Sequence, residues 1–207
     1  MDISVWLALL ALFFAGGLTP GPAVMMVMSA SLRYRAPTAM IPALGVSTAN
    51  LLWISLAATG IAAFAAQLPV VLTALKIAGL CFIVWLAWTM ATADPHRPRA
   101  RAEQAPARAN LFGRGIALQL LNPNALVFFG LLLPSYFDHE KPVLPQALII
   151  MATVTVTEML GLTFYAWLAD AMNQRLQSPV FSRWFNRLAA AAMVGSAAFA
   201  AVMTTTA

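Results

Sequence analysis

The sequence predicts an all-α membrane protein, with six transmembrane helices set as two inverted three-helix repeats and with helices 1 and 4 broken at proline. Three observations carry that expectation. The chain is 61% hydrophobic and 9% charged, with a mean hydropathy of +0.81, whereas a soluble globule is charged at roughly a quarter of its positions. Six stretches almost free of charge each reach the roughly twenty residues that a helix needs to cross hydrocarbon. Two of them are interrupted by proline in matching settings, Leu18-Thr19-Pro20-Gly21 and Leu121-Asn122-Pro123-Asn124, and these prolines stand 103 residues apart in a chain of 207.

Helix 1 is expected over 3–28. It follows Asp2 rather than a basic cluster and outruns the short apolar core of a signal peptide, so it reads as retained. Within it Pro20-Gly21-Pro22 removes two backbone donors and adds a flexible joint, more disruption than a packing kink requires. Helices 2 and 3 are expected over 40–66 and 69–93. On helix 2, Gly45, Thr48, Ser55 and Thr59 share one sector and read chiefly as a face for close helix packing, while Asn50 points away from it. Helix 3 carries Lys76 near its start, where snorkelling to the interface is the favoured reading. It also carries Cys81, which reads as a small buried hydrophobe. Residues 94–110 are rich in Pro, Ala and Arg without apolar periodicity. They read as a linker, so repeat 1 covers about 1–93, a cytoplasmic linker about 94–112 and repeat 2 about 113–207.

Helix 4, expected over 115–134, holds the second break, where Asn122 and Asn124 flank Pro123 and each amide can both donate and accept. The match to the first break continues at the same offset, with Val24 and Val127, Met25-Met26 and Phe128-Phe129, and Pro42 and Pro145 in correspondence. Helix 5, over 143–169, places Thr153, Thr157, Gly161 and Tyr165 at i, i+4 intervals with Glu158 beside them, a stripe expected to face inward. Helix 6 is expected over 184–204. Three helices per repeat invert the second copy, so both breaks approach the bilayer middle from opposite sides. The half-helices starting near Pro22 and Pro123 then present unpaired N–H groups and a positive partial charge suited to a carboxylate. Glu158 falls near the middle of helix 5, where a charge is costly unless it faces a partner or cavity. It reads either as a structural hydrogen bond between helices or as a group that binds a substrate ammonium or exchanges a coupling proton.

The net charge of +5 is accounted for by topology rather than by a nucleic-acid partner. Arg33 and Arg35 follow helix 1, Arg97, Arg99, Arg101 and Arg108 follow helix 3, and Arg175, Arg183 and Arg187 follow helix 5. By the positive-inside rule these loops are cytoplasmic and both termini extracytoplasmic. One cysteine precludes an internal disulfide, and His96 and His139 lie in loops on opposite sides, so no metal site is expected. No phosphate-binding glycine loop is present, which leaves an ion gradient to drive any uphill movement. The clustered acids, bases or ligands of a membrane enzyme are missing. A channel or a structural assembly subunit remains open on the residues alone.

The motifs together resemble the LysE/RhtB family of bacterial amino-acid exporters over nearly the whole chain. The residues are Thr19-Pro20-Gly21-Pro22; Lys76-Ile77-Ala78-Gly79-Leu80-Cys81-Phe82-Ile83; Phe112 with Gly115; Leu121-Asn122-Pro123-Asn124-Ala125; Phe128-Phe129; Pro134; Phe137; and Glu158 followed by Tyr165-Ala166-Trp167-Leu168-Ala169. The resemblance implies efflux of amino acids or related small metabolites across the bacterial inner membrane by proton antiport, without a cofactor. It implies a substrate site at Pro20, Gly21, Pro22, Asn122, Pro123 and Asn124, with Glu158 coupling to protons. The oligomeric state stays open, a homodimer included. Four departures stand out: Asn124 replaces the family's lysine, Phe82 its tyrosine, Ala49 a helix 2 glycine, and glycines usual after helix 1 are replaced near Arg35 and Thr38.

Overall fold

The computed structural model describes residues 1–18, 21–60, 69–92, 106–138, 140–176, 180, 183–184, 187–188 and 190–195, and these contain helices and no strand. In chain order they form α1 (Ile3–Leu18), α2 (Pro22–Tyr34), α3 (Ala36–Ala58), α4 (Pro69–Ala91), α5 (Arg108–Leu120), α6 (Pro123–Val127) and α7 (Val143–Leu176). A π-turn over Phe128–Leu132 and a 3-10 turn over Leu133–Tyr136 continue α6. Among the described residues α3 and α7 are each long and apolar enough to cross a bilayer. The pair α1 and α2, bent by 45° at the first break, passes the same test when the two are taken together, as a broken span or a re-entrant loop would. Thr19, Pro20, most of the linker, His96, His139 and most of the expected helix 6 lie outside the described residues.

Proline and glycine set the element boundaries. Pro22 opens α2 and Pro69 opens α4, first-turn positions where the missing N–H has no intrahelical partner to lose. Arg35 separates α2 from α3 at φ 76° and ψ 160°, and Gly60 at φ 74° follows the end of α3. Several boundaries differ from expectation. The linker ends earlier than residue 112, because α5 is already helical at Arg108, and α7 runs past residue 169 to Leu176. After Pro123 the chain makes a short α-turn and then widens into the π-turn, rather than one regular half-helix.

Large apolar side chains cover the surface as well as filling the interior, unlike a soluble domain, and alanines line much of the buried face of α3. Leu44, Leu51, Leu52, Trp88, Leu160 and Trp167 are exposed, whereas Ala36, Ala39, Ala43, Ala49 and Ala57 are buried. Cys81 is exposed, against the expectation of a buried thiol. An apolar solvent satisfies a small hydrophobe on either face of a helix. The expected packing face of α3 also fails except at Gly45. Thr48, Ser55 and Thr59 point outward and satisfy their hydroxyls on the carbonyls of Leu44, Leu51 and Ser55.

Glycines set the closest helix approaches. A Cβ on Gly45 would collide with the Phe112 carbonyl, and one on Gly115 with the Pro42 carbonyl, so α3 and α5 meet backbone to backbone. A Cβ on Gly161 would lie 2.7 Å from the Gly17 oxygen, which fixes α7 against α1 in the same way. Each half of the chain thus packs its second long helix on the segment that precedes the other half's break.

Candidate functional site

Two separate hydrophobic cores occupy the interior, one containing Val27, Ala39, Val46, Leu118, Leu162 and Ala166, the other Leu9, Trp53, Ile54, Ala125, Phe129 and Val154. Four chain segments pass from one core to the other. On α3 the residues between are Ser47 and Asn50; on α7, Thr157 and Glu158; between α5 and α6, Gln119 and Asn122; between α1 and α2, the first break. These residues therefore share one level, while the buried Ser31, Gln146 and Asp170 lie away from it. Apolar side chains are exposed on the helices around both cores, so that level lies between two apolar zones.

The side chains at this level are joined in one direction. Asn122 Nδ2 donates to Gln119 Oε1 at 3.4 Å, Gln119 Nε2 donates to Asn50 Oδ1 at 2.6 Å, and Asn50 Nδ2 donates to Glu158 Oε2 at 2.6 Å. Asn50, Gln119 and Asn122 are buried and Glu158 is half-buried. An ionised carboxylate only accepts, so it fixes Asn50 with its NH₂ turned inward, and that choice fixes Gln119 in turn. Leaving one such buried amide without a partner costs about 1–3 kcal/mol, which ties the four positions together.

The second break supplies the reason for a tryptophan beside the chain. Pro123 has no N–H to bond the Gln119 carbonyl, and that oxygen instead accepts from Trp53 Nε1 at 3.4 Å and from the Asn122 N–H at 3.3 Å. At the first break Gly21 is extended, at φ −118° and ψ −173°, and no side chain caps the start of α2. α1 packs on the segment that follows the second break. The Phe13 ring centroid lies 5.0 Å from that of Phe128 and 6.2 Å from that of Phe129.

The inward stripe of α7 faces α1. Trp6 Nε1 donates to Thr153 Oγ1 at 2.9 Å, Thr157 is buried, and Gly161 carries the contact with Gly17. Polar ties also mark the two ends of the molecule. Arg35 Nε lies 3.8 Å from the buried Asp170, and Ser31 Oγ donates to the Ala166 carbonyl at 2.6 Å. At the other end Lys141 Nζ sits 2.7 Å from Asp2 Oδ1 and 2.9 Å from Asp138 Oδ2.

Of the residues expected at the site, Asn122 and Glu158 are brought into one hydrogen-bonded set, and Gly21 and Pro22 begin α2 at the same level. Pro20 lies outside the described residues. Pro123 begins α6, and its side chain and those of Asn124 and Lys76 are also outside them. Gln119 and Trp53 were not anticipated. The signal for Gln119 is its place four residues before Pro123, which makes it the owner of the carbonyl that the proline frees. Among the described residues no group of three or more His, Cys, Asp or Glu could hold a metal ion.

An apolar exterior, small-residue helix crossings and an ionisable polar layer between two cores define a helical membrane protein built around an internal polar site. Residues 6–204 match the family of LysE type translocators, and the chain belongs to that family, a translocator rather than an enzyme. It is 30% identical over 193 residues to a homoserine/homoserine lactone efflux protein of Salmonella typhi, covering 90% of this chain and 91% of that one. It is 26% identical to an uncharacterised membrane protein of Vibrio cholerae, over 94% and 95% of the two chains. A leucine efflux protein of Enterobacter sp. (strain 638) is 24% identical over 73% of this chain and 72% of its own. No solved structure matches.

Proposed function

We propose that this protein exports a small neutral amino acid, or a close derivative, across the bacterial cytoplasmic membrane in exchange for protons. The observation that carries the reading is the polar layer closed between two hydrophobic cores, with Glu158 at its end. Pro20, Gly21 and Pro22 on one side and Asn122, Pro123 and Asn124 on the other shape the substrate site. The uncapped start of α2 suits the substrate carboxylate, since the N–H groups of a helix N-terminus favour an anion. Glu158 takes up and releases the coupling proton, because a carboxyl inside the membrane must be either neutral or paired. Six spans in two inverted repeats, with basic loops in the cytoplasm and both termini outside, is the architecture we assign to the whole chain. The crossed packing of each half on the other's broken segment supports it. Homoserine is the first substrate to try, because relatives over nine-tenths of the chain carry that name.

The test uses inverted membrane vesicles, in which export becomes uptake. Uptake of labelled homoserine should rise with an acid-inside gradient, collapse with a protonophore and saturate. Glu158→Gln keeps an oxygen for Asn50 to donate to, and it should abolish the dependence on the gradient while leaving exchange down a substrate gradient. Gradient-driven uptake by Glu158→Gln equal to the parent at every pH removes Glu158 from the mechanism. A steady conductance in planar bilayers, without saturable uptake, replaces the exporter by a channel.

A further inference from the structure

We infer that Gln119 and Asn50 are positioning residues that couple the second chain break to Glu158, by turning over together when Glu158 changes protonation state. The inference rests on the proton-exchange reading and gives it a physical connection between its two sites. Three amides and one carboxyl form a single file: Asn122, Gln119, Asn50, Glu158, with links of 3.4, 2.6 and 2.6 Å. With Glu158 ionised, every NH₂ in the file points toward the carboxylate, as found here. With Glu158 protonated, its O–H can donate to Asn50 Oδ1. Asn50 Nδ2 then donates to Gln119 Oε1, and Gln119 Nε2 to Asn122 Oδ1.

Ionised Glu158 accommodates the direction found here, whereas the O–H of protonated Glu158 finds its acceptor in the file when the file is reversed, and mixed directions set NH₂ against NH₂ or oxygen against oxygen at these links. No covalent bond within an amide is broken. The proton enters and leaves at Glu158 alone, and what travels is the orientation of the amides. At the far end Asn122 exchanges its oxygen and nitrogen edges beside Pro123. An ammonium group needs the oxygen and a carboxylate needs the NH₂, so substrate bound at the break and a proton bound at Glu158 bias each other's affinity by the same factor.

Glu158 has Asn50 as its hydrogen-bond partner among the described residues. Of the elements packed around it, α1, α3 and α6 carry no charged or titratable residue. The last turn of α2 carries Arg33 and Tyr34, α5 carries Arg108 and Arg114 in its first half, and α7 carries Tyr165, then Asp170 and Arg175 toward its end. The helix α4, which shares a hydrophobic core with α7, carries Lys76 and Cys81. Among the described residues the amide file is the hydrogen-bonded connection from Glu158 to the break.

Gln119→Met keeps the length of the side chain and removes both amide functions. The double exchange Asn50→Gln with Gln119→Asn moves one methylene from one residue to the other and keeps an unbroken file. In inverted vesicles, Gln119→Met should retain homoserine counterflow while its proton-driven accumulation falls about tenfold and its pH profile flattens; the double exchange should restore both. Gln119→Met that accumulates homoserine with the parent's pH profile overturns the relay. So does a loss of counterflow and accumulation in equal proportion, or a double exchange that behaves like Gln119→Met, either of which makes the amides structural only. If the parent itself shows no gradient-driven uptake, the proton-exchange reading fails first and the relay fails with it.

Discussion

At the residue scale, Arg35 occupies a backbone position that only glycine enters without penalty. Its φ of 76° with ψ of 160° lies in a region essentially reserved for residues lacking a Cβ, and holding another residue there costs about 1–3 kcal/mol. The side chain offsets part of that cost through its ion pair with Asp170, 3.8 Å away and buried, although Arg35 itself is mostly exposed and such a pair contributes about 1 kcal/mol or less. Arg35→Ala loses the pair and keeps the strain; Arg35→Gly loses the pair and removes the strain. The glycine variant should therefore unfold in detergent at a higher temperature than the alanine variant, by about 1 kcal/mol or more in stability. Equal midpoints would mean that the turn relaxes around alanine. The sequence marks this position as a departure from the family's glycines near Arg35, while the reason for the departure needs Asp170, which looks from the sequence like a loop residue just past helix 5.

At the element scale, helix type, proline placement and the inward stripe of α7 could be read from the sequence, and the face of α3 could not. Amphipathic periodicity assumes water on one side, and here lipid surrounds the bundle. Thr48, Ser55 and Thr59 share a sector on α3, yet they bond their own helix and face outward. Asn50, off that sector, is the residue that reaches Glu158. Gly45 alone of the four packs inward, because α3 and α5 touch at Gly45 and Gly115 with no room for a side chain. Both carbonyls that a Cβ would strike, of Phe112 and of Pro42, are backbone and cannot turn aside. Gly45→Ala should therefore destabilise the protein by about 1–3 kcal/mol, the usual cost of overpacking. Thermal unfolding of the purified protein measures it, with Thr48→Ala as a control that leaves the midpoint within about 0.5 kcal/mol of the parent. A Gly45→Ala midpoint equal to the control would show that the helices separate without loss.

At the scale of the whole molecule, the duplicated breaks and the acid of helix 5 are visible in the sequence, but the connection between them is not, since Gln119 and Asn50 come together from residues 69 apart. The ends of the molecule raise a different question, which of its ionic groups sets a pH dependence. Lys141 joins Asp2 at the start of α1 to Asp138 before α7, outside the membrane-spanning segments. Hydrogen bonds to Asp2 and then to Asp138 push the Lys141 ammonium up to about 12. The same contact with Lys141, followed by the Glu140 N–H, holds the Asp138 carboxyl below its ordinary 3.8. A raised lysine contributes fully below its ordinary 10.5 and loses that contribution as pH rises through about 12. A lowered carboxyl contributes above 3.8 and loses its contribution as pH falls through its still lower folded value. Between about pH 5 and pH 9 neither group changes charge, so this clamp is constant there and leaves the shape of a transport profile alone. Lys141→Met should consequently lower the rate or the stability evenly across that range, while Glu158→Gln changes the shape itself. Measured as homoserine uptake against pH in vesicles, a Lys141→Met profile displaced by about half a unit or more would show that the Lys141 charge is felt at the titrating group, because a charge that does not itself titrate moves a midpoint only by acting on the group that does.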